Sequence, residues 1–343
     1  MPKEILCVRP GELEWHDYED ARLQADQVRI QVEFAAAKHG TEAASYKGYE
    51  SARGSFDSLL AVFTPGSGLN PYPKGIGNMV VGRVTEVGGT VTEVKVGDRV
   101  MAYGQFRPTE VANELACWKL PDGVPWQSAV CLDPADFALA AVRDANVRVG
   151  DAVAIFGMGA IGLVVTTLAK LSGAHPIIAV DPIVVRREAA LAVGADLALD
   201  PTACDAGVEI KRATANRGAD VVIEYSGSRL ALQHALRGVA FGGTVVAGAY
   251  PAPYGAGLDL GAEAHFNRPN LIFSRACSDP NRDHPRWDNG RLMETAWRLI
   301  LEGKIDGRPI VSPIVPFEEA LDAYHNVFHA PEGSIKLGVR FGG

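Results

Sequence analysis

The sequence predicts an α/β protein: a doubly wound parallel sheet covered by helices, accompanied by a smaller barrel-like β-domain. Two textures predict it. Up to about Ser128 the chain reads as short strands punctuated by glycine and proline, as small barrels do. Beyond that point longer apolar runs alternate with helical segments, the pattern of βαβ units whose strands are buried on both faces.

In the first part, Val28-Arg29-Ile30-Gln31-Val32 alternates apolar and polar residues, as a half-buried strand does. Met79 to Val87 (MVVGRVTEV) is a second strand, followed by turn signals at Gly88-Gly89 and Gly97-Asp98, and Asp98 to Met101 resumes a strand. In the second part the expected strands are Ala152 to Phe156, Ile177 to Val180, Asp220 to Glu224 and Thr244 to Ala247. The expected helices are Leu163 to Ser172, Arg186 to Ala192, Leu292 to Glu302 and Glu318 to Phe328. Ser334 to Phe341 reads as a final strand.

A length of 343 residues suits about two domains. With 47% hydrophobic and 22% charged residues, the chain buries sizeable cores. The net charge of -8 and the lack of a basic run argue against nucleic acid or an acidic membrane surface as partner. The five cysteines, Cys7, Cys117, Cys131, Cys204 and Cys277, are odd in number and widely spaced, with no CxxC pair. They form neither a disulfide framework nor a zinc knuckle, which fits a reducing compartment. The opening MPKEILCVRPGELEWHDYED does not read as a signal peptide, and no apolar stretch reaches the length that spans a bilayer. The expectation is a soluble cytoplasmic protein with a small-molecule substrate.

The strongest motif is Gly157-Met158-Gly159-Ala160-Ile161-Gly162. It directly follows the AVAIF strand and opens the helix LVVTTLAKL. In this context each glycine has a distinct role. Gly157 permits a tight turn, Gly159 lets the backbone approach a pyrophosphate closely, and Gly162 lets the helix pack closely on the strand. The phosphates then face unpaired N–H groups at a helix N-terminus. Asp181 ends the next strand about 20 residues on, where a carboxylate accepts from an adenosine ribose and repels a 2′-phosphate. The cofactor expected is therefore NAD. Arg186 and Arg187 point the other way, since an arginine there pairs with such a phosphate; their plainer reading is a solvated helix face.

Taken together, these motifs resemble the medium-chain dehydrogenase/reductase superfamily, which includes zinc alcohol and sorbitol dehydrogenases. The resemblance runs through VGRVTEVGGTVTEVKVGDRV (Val81 to Val100), the glycine motif, GADVVIEYSG (Gly218 to Gly227), GGTVVAGA (Gly242 to Ala249), EGKIDGRPIV and SIKLGV, in that order. It implies a GroES-like catalytic domain made of residues 1–128 and 280–343, with a Rossmann domain, 129–279, inserted between. It also implies cofactor contacts at Met158, Ile161, Arg186, Ser226, Ala249 and Arg275.

The departures from the family pattern bear on the chemistry. Zinc members carry Cys-Gly-Thr/Ser-Asp, where this chain has His39-Gly40-Thr41-Glu42. They carry Gly-His-Glu, where this chain has Gly77-Asn78-Met79, and often Glu-Pro, where it has Asp133-Pro134. The four-cysteine lobe that binds structural zinc is absent. His39 and Asp133 are capable ligands, but Asn78 is a poor one, and a catalytic zinc needs about three protein ligands. No metal is therefore expected. The catalytic candidates are His39 as acid/base, Thr41 as the hydroxyl that relays the proton, Asp133 orienting His39, and Asn78, with Lys38 and Asp136 as neighbours able to substitute. The plainer reading makes His39 a hydrogen-bonded core residue and Asp133 a helix cap.

The segment Glu263 to Trp287 is rich in donors and aromatics. His265, Arg268, His284, Arg286 and Trp287, with Tyr46, Lys47 and Tyr49, suit a pocket for a polyhydroxylated substrate, or else decorate a surface loop. The function expected is a zinc-independent, NAD-dependent dehydrogenase acting on a secondary alcohol of a polyol, sugar or cyclitol. The alternatives are a reductase of activated C=C bonds or quinones and a non-catalytic NAD-binding protein. By analogy with the family, the chain is expected to form a homodimer or homotetramer.

Overall fold

The computed structural model describes residues 1–64, 72–278 and 280–342. The chain divides into two compact units: 1–130 with 311–331 and 336–343, and 131–310 with 332–335.

The first unit is organised around the strand Gln27–Ala36. It pairs antiparallel with Met79–Val87, with Thr109–Asn113 and with Lys336–Arg340. The expected alternation is present: Val28, Ile30 and Val32 are buried, while the residues between them are partly or fully exposed. Register shifts between Arg29 and Ile30 and between Val32 and Phe34 mark bulges, which bend and twist a strand. The C-terminal part returns through Val311–Pro316, the helix Ala320–His329 and Lys336–Arg340, a parallel crossover that ends in this sheet. Its core joins Ile5, Val28, Ile30, Val80, Val100, Phe106, Tyr324, Leu337 and Val339.

The second unit holds a six-stranded, wholly parallel sheet. Its order is Leu197–Leu199, Ile177–Val180, Val153–Phe156, Ala219–Glu224, Val239–Ala247 and Asn270–Phe273. Val153–Phe156 and Ile177–Val180 are buried at every residue, because helices cover both faces. The expected helices appear as Ala160–Leu171, Val184–Val193, Asn289–Leu301 and Ala320–His329, the last in the first unit.

Several helices lie outside the four expected, among them His39–Tyr46, Ala206–Ala213, Arg229–Gly238 and Leu132–Asp144. Leu132–Asp144 buries ten of its residues and packs against Ala160–Leu171 and Asn289–Leu301. That packing holds residues 281–310 in the parallel-sheet unit, so the second division falls at Ile310 rather than near residue 280. Asp279, within the polar segment singled out above, lies outside the described residues.

Candidate functional site

In the parallel-sheet unit, the glycine motif has the geometry its spacing predicts. Gly157 has φ +89°, and a Cβ there would stand 2.5 Å from the Ser226 amide nitrogen. A Cβ on Gly162 would strike the Gly157 carbonyl oxygen, so helix and turn touch through bare backbone. Gly159 differs: it caps the helix Ala160–Leu171, and nothing lies within 4 Å of where its Cβ would be. No side chain caps this helix start among the described residues. The open space over Gly159, facing uncapped amides, fits the pyrophosphate of a dinucleotide. Met158 contributes its amide, while its side chain is buried in the core. Ile161 is half-buried in the first turn of the helix.

Asp181 is buried and holds this turn in place. One carboxylate oxygen accepts from the Met158 N–H (2.8 Å) and the other from the Ile183 N–H (2.8 Å). Each oxygen retains a second lone pair for a ribose hydroxyl. Arg186 and Arg187 do not form a solvated face. Their side chains are mostly buried: Arg186 Nε donates to the Ser334 carbonyl (2.9 Å), with its guanidinium 4.0 Å from Asp181. Arg187 donates to the Asp181 carbonyl (2.7 Å) and pairs with Asp200 (3.1 Å). The segment's pattern could not reveal these partners, two of which come from other elements.

Ser226 and Ala249 follow neighbouring strands at their carboxyl ends, and a Cβ on Gly227 would stand 3.5 Å from Ala249. Sequence reasoning missed Glu224, the last residue of Ala219–Glu224. It is fully buried, and its Oε1 accepts from the Ser226 N–H (2.6 Å), the Gly227 N–H (2.9 Å) and the Ser226 hydroxyl. Burial pushes its carboxyl up, with those donors pulling in the opposite direction. Its signal was the acidic residue closing an otherwise apolar strand, DVVIE.

The polar segment engages two different parts of this unit. His265 stands edge-on to Phe266, next to the helix end at Arg268. Farther along, Asp283 pairs with Arg143, and the Trp287 ring lies 3.6 Å from the Arg143 guanidinium and 4.2 Å from that of Arg291. His284 and Arg286 are exposed, and Arg275 is exposed with a bond to the Ser278 hydroxyl (3.2 Å). Trp287 and Asp283 thus fasten this connection to the helix Leu132–Asp144. On the same helix, Asp133 and Asp136 are buried in the first turns. The residue at the cap position is Cys131, so Asp133 is not the helix cap.

In the other unit, His39 opens the helix His39–Tyr46. Its Nε2 accepts the Leu337 N–H (3.0 Å). An imidazole nitrogen that accepts carries no proton, so this contact assigns a neutral ring protonated at Nδ1. Thr41, two residues on, is exposed. Glu42 faces inward: Oε2 accepts from the Lys38 N–H (2.7 Å) and Oε1 from the Gly77 N–H (2.6 Å). Burial pushes its carboxyl up against the pull of these amides, with Lys336 and the Tyr324 hydroxyl close by. Lys336 is buried and donates to the Ala37 carbonyl (2.6 Å). Gly77 has φ +107°, and a Cβ there would press on Phe106. Beside it the Asn78 side-chain oxygen is buried and accepts no hydrogen bond from the described residues. Tyr46 lines a small cavity with Cys7, Glu42, Ser45, Lys74, Ile76 and Tyr324. Tyr46 is buried, stacked on Phe328 at 4.5 Å, with its hydroxyl 2.6 Å from His325 Nδ1 and 3.1 Å from His329 Nε2. Lys47 lies over the Phe328 ring (5.7 Å) and Tyr49 beside Arg53 (5.8 Å).

Two family models match, the alcohol dehydrogenase GroES-like domain over residues 24–164 and zinc-binding dehydrogenase over 160–279. The chain is 44% identical to the D-guloside 3-dehydrogenase of Escherichia coli strain K12, over 99% of this chain and all of that protein. The chain belongs to the medium-chain dehydrogenase/reductase superfamily. Its fold is shared with a short chain alcohol dehydrogenase of Escherichia coli CFT073 solved with NADH (TM-score 0.77, 20% identity, 99% of each chain). It is shared equally with a Sinorhizobium meliloti 1021 dehydrogenase bound to NADP (TM-score 0.77, 22% identity, 99% of each chain). This medium-chain dehydrogenase is an oxidoreductase acting on CH–OH groups.

The zinc in the matching model's description does not fit the donors present. A catalytic zinc needs about three protein ligands. Here Asn78 is a weak donor to zinc, and the Nε2 lone pair of His39 is taken by a backbone amide. Among the described residues no three His, Cys, Asp or Glu side chains are grouped as a metal would require. The described cysteines are all free thiols. No helix among the described residues is long and apolar enough to cross a membrane.

Proposed function

We propose that this medium-chain dehydrogenase uses NAD to oxidise a secondary hydroxyl of a sugar or glycoside, without zinc. The observation that carries the substrate class is the end-to-end identity of 44% to a D-guloside 3-dehydrogenase. The buried Asp181 supports NAD over NADP, because a 2′-phosphate beside it faces a carboxylate with little water to screen it.

In the reaction the C–H electron pair leaves as hydride, the hydroxyl proton passes by way of Thr41, which is exposed, to water, and a ketone forms. The nicotinamide, when bound, accepts the hydride. His39 acts at the substrate oxygen, and in ketone reduction a donor there polarises the carbonyl. Thr41 relays the hydroxyl proton, and the unpaired Asn78 oxygen accepts from a substrate hydroxyl.

Leu271 and Phe273 lie exposed on Asn270–Phe273, the last strand of the parallel sheet. An open edge of this kind supports a homodimer formed there, which light scattering would test. Free thiols support a cytoplasmic location.

The test of function is NAD reduction with methyl gulosides, related glycosides, free sugars and simple polyols. Turnover is expected on at least one glycoside. Activity confined to quinones or activated alkenes would overturn the reading.

A further inference from the structure

The turns that follow the adjacent strands Val153–Phe156 and Ala219–Glu224 are in direct backbone contact. Phe156 and Glu224 are register partners, and the Tyr225 N–H donates to the Phe156 carbonyl (2.9 Å). Gly157 presses on Ser226 so closely that a methyl group would not fit. The shape of the glycine turn therefore depends on where Ser226 sits.

Ser226 is placed by one atom. Glu224 Oε1 gathers the Ser226 N–H, the Ser226 hydroxyl and the Gly227 N–H, and the Ser228 N–H in turn donates to the Ser226 hydroxyl (3.1 Å). Gly227 follows at φ +68°, and Ser228 then caps the helix Arg229–Gly238. Glu224 Oε2 is buried and makes no hydrogen bond to the described residues. A buried polar oxygen left unsatisfied is rare enough to need a reason. Here the reason is reach: a side chain of this length brings one oxygen onto three donors, and the second oxygen is carried into dry surroundings as a consequence.

We propose that Glu224 is a positioning residue for the dinucleotide: through Oε1 it clamps the Ser226–Gly227 turn against Gly157 and so sets cofactor affinity. The proposal rests on the dinucleotide reading of the glycine motif. It assigns Glu224 no contact with the cofactor and no part in proton transfer. Burial pushes its carboxyl up, against the pull of the three donors on Oε1.

Two conservative variants separate reach from charge. Glu224→Gln keeps an acceptor oxygen at the same reach. Glu224→Asp keeps the charge and shortens the reach by one methylene. NADH binding is titrated by nicotinamide fluorescence on the purified full chain, so the readout is independent of the sugar substrate. Glu224→Gln is expected to hold the NADH Kd within about threefold, and Glu224→Asp to weaken it about tenfold or more, with kcat at saturating cofactor little changed in either. The reverse order, Asp retaining affinity and Gln losing it, would make charge the cause and overturn the clamp. Equal, wild-type affinity in both would reduce Glu224 to a structural residue and overturn it as well. Failure of the wild-type chain to bind NADH or NADPH would sink the dinucleotide reading itself, a separate result.

Discussion

Gly159 and Gly157 stand two residues apart in one turn and should respond to alanine in opposite ways. At Gly159 the backbone is extended (φ -75°, ψ -171°), and no protein atom lies within 4 Å of the new methyl group. The only intrinsic cost is a poorer helix cap, about 0.5–1 kcal/mol. For a unit of this size that lowers the melting temperature by about 2–4 °C per kcal/mol. The same methyl stands where a pyrophosphate meets the helix amides. Losing one or two charge-assisted hydrogen bonds there, at about 1.5–3 kcal/mol each, weakens NADH by about tenfold to well over a hundredfold. Gly157→Ala instead forces a left-handed residue, about 1–2 kcal/mol, into contact with Ser226, about 1–3 kcal/mol more, so it should melt well below the wild type. Thermal melts paired with NADH fluorescence titrations read both quantities. Wild-type NADH affinity in a stable Gly159→Ala protein would refute the placement of the phosphates.

Other consequences concern the barrel unit and pH. His39→Gln should lower kcat by about a hundredfold or more while leaving the NADH Kd unchanged, because a group lost at the substrate oxygen acts on the chemical step; a parallel loss in Kd would mean the residue shapes the fold instead. Tyr46→Phe removes the hydroxyl shared by His325 and His329 and should cost about 1 kcal/mol in unfolding experiments, with turnover kept. Glu42, Asp144 and Glu224 are all pushed up by burial, so the folded protein holds their protons more tightly than the unfolded chain. Such groups stabilise fully below the unfolded values near 4 and lose that contribution as pH rises through the folded ones. Glu50, Asp196, Asp205 and Asp306 are shifted down and weaken the fold only as pH falls further. Melting temperature should therefore fall as pH rises through the raised folded values of the first set, and fall again as pH drops below the unfolded carboxylate values near 4; no loss on the alkaline side would count against these burials.

The parallel sheet was legible because VAIF and IIAV are buried on both faces, and burial of that kind writes itself as unbroken apolar runs. The glycine motif was legible because its demands are local: a positive φ and two close backbone approaches. The helix Leu132–Asp144 was less so: only the plainer reading of Asp133 as a cap implied a helix there. Pro134 sits in the first turn, where a missing N–H breaks no helical hydrogen bond. The second domain division was misplaced for a related reason. Arg143 and Asp283, which tie the late polar segment to that helix, are 140 residues apart. Tyr46 lines a small cavity, and two histidines from a distant helix satisfy its hydroxyl, which no local pattern announces. The tautomer of His39 depends on an amide 298 residues away, and no local pattern announces it.

NAD-dependent oxidation of a sugar hydroxyl by protein groups in place of zinc is tested most directly by following NADH formation on a D-guloside before and after exhaustive chelation, with metal content measured on the same sample. The expected result is turnover with NAD, much weaker turnover with NADP, and a rate unchanged by the chelator. Activity lost on chelation and restored by stoichiometric zinc would contradict it.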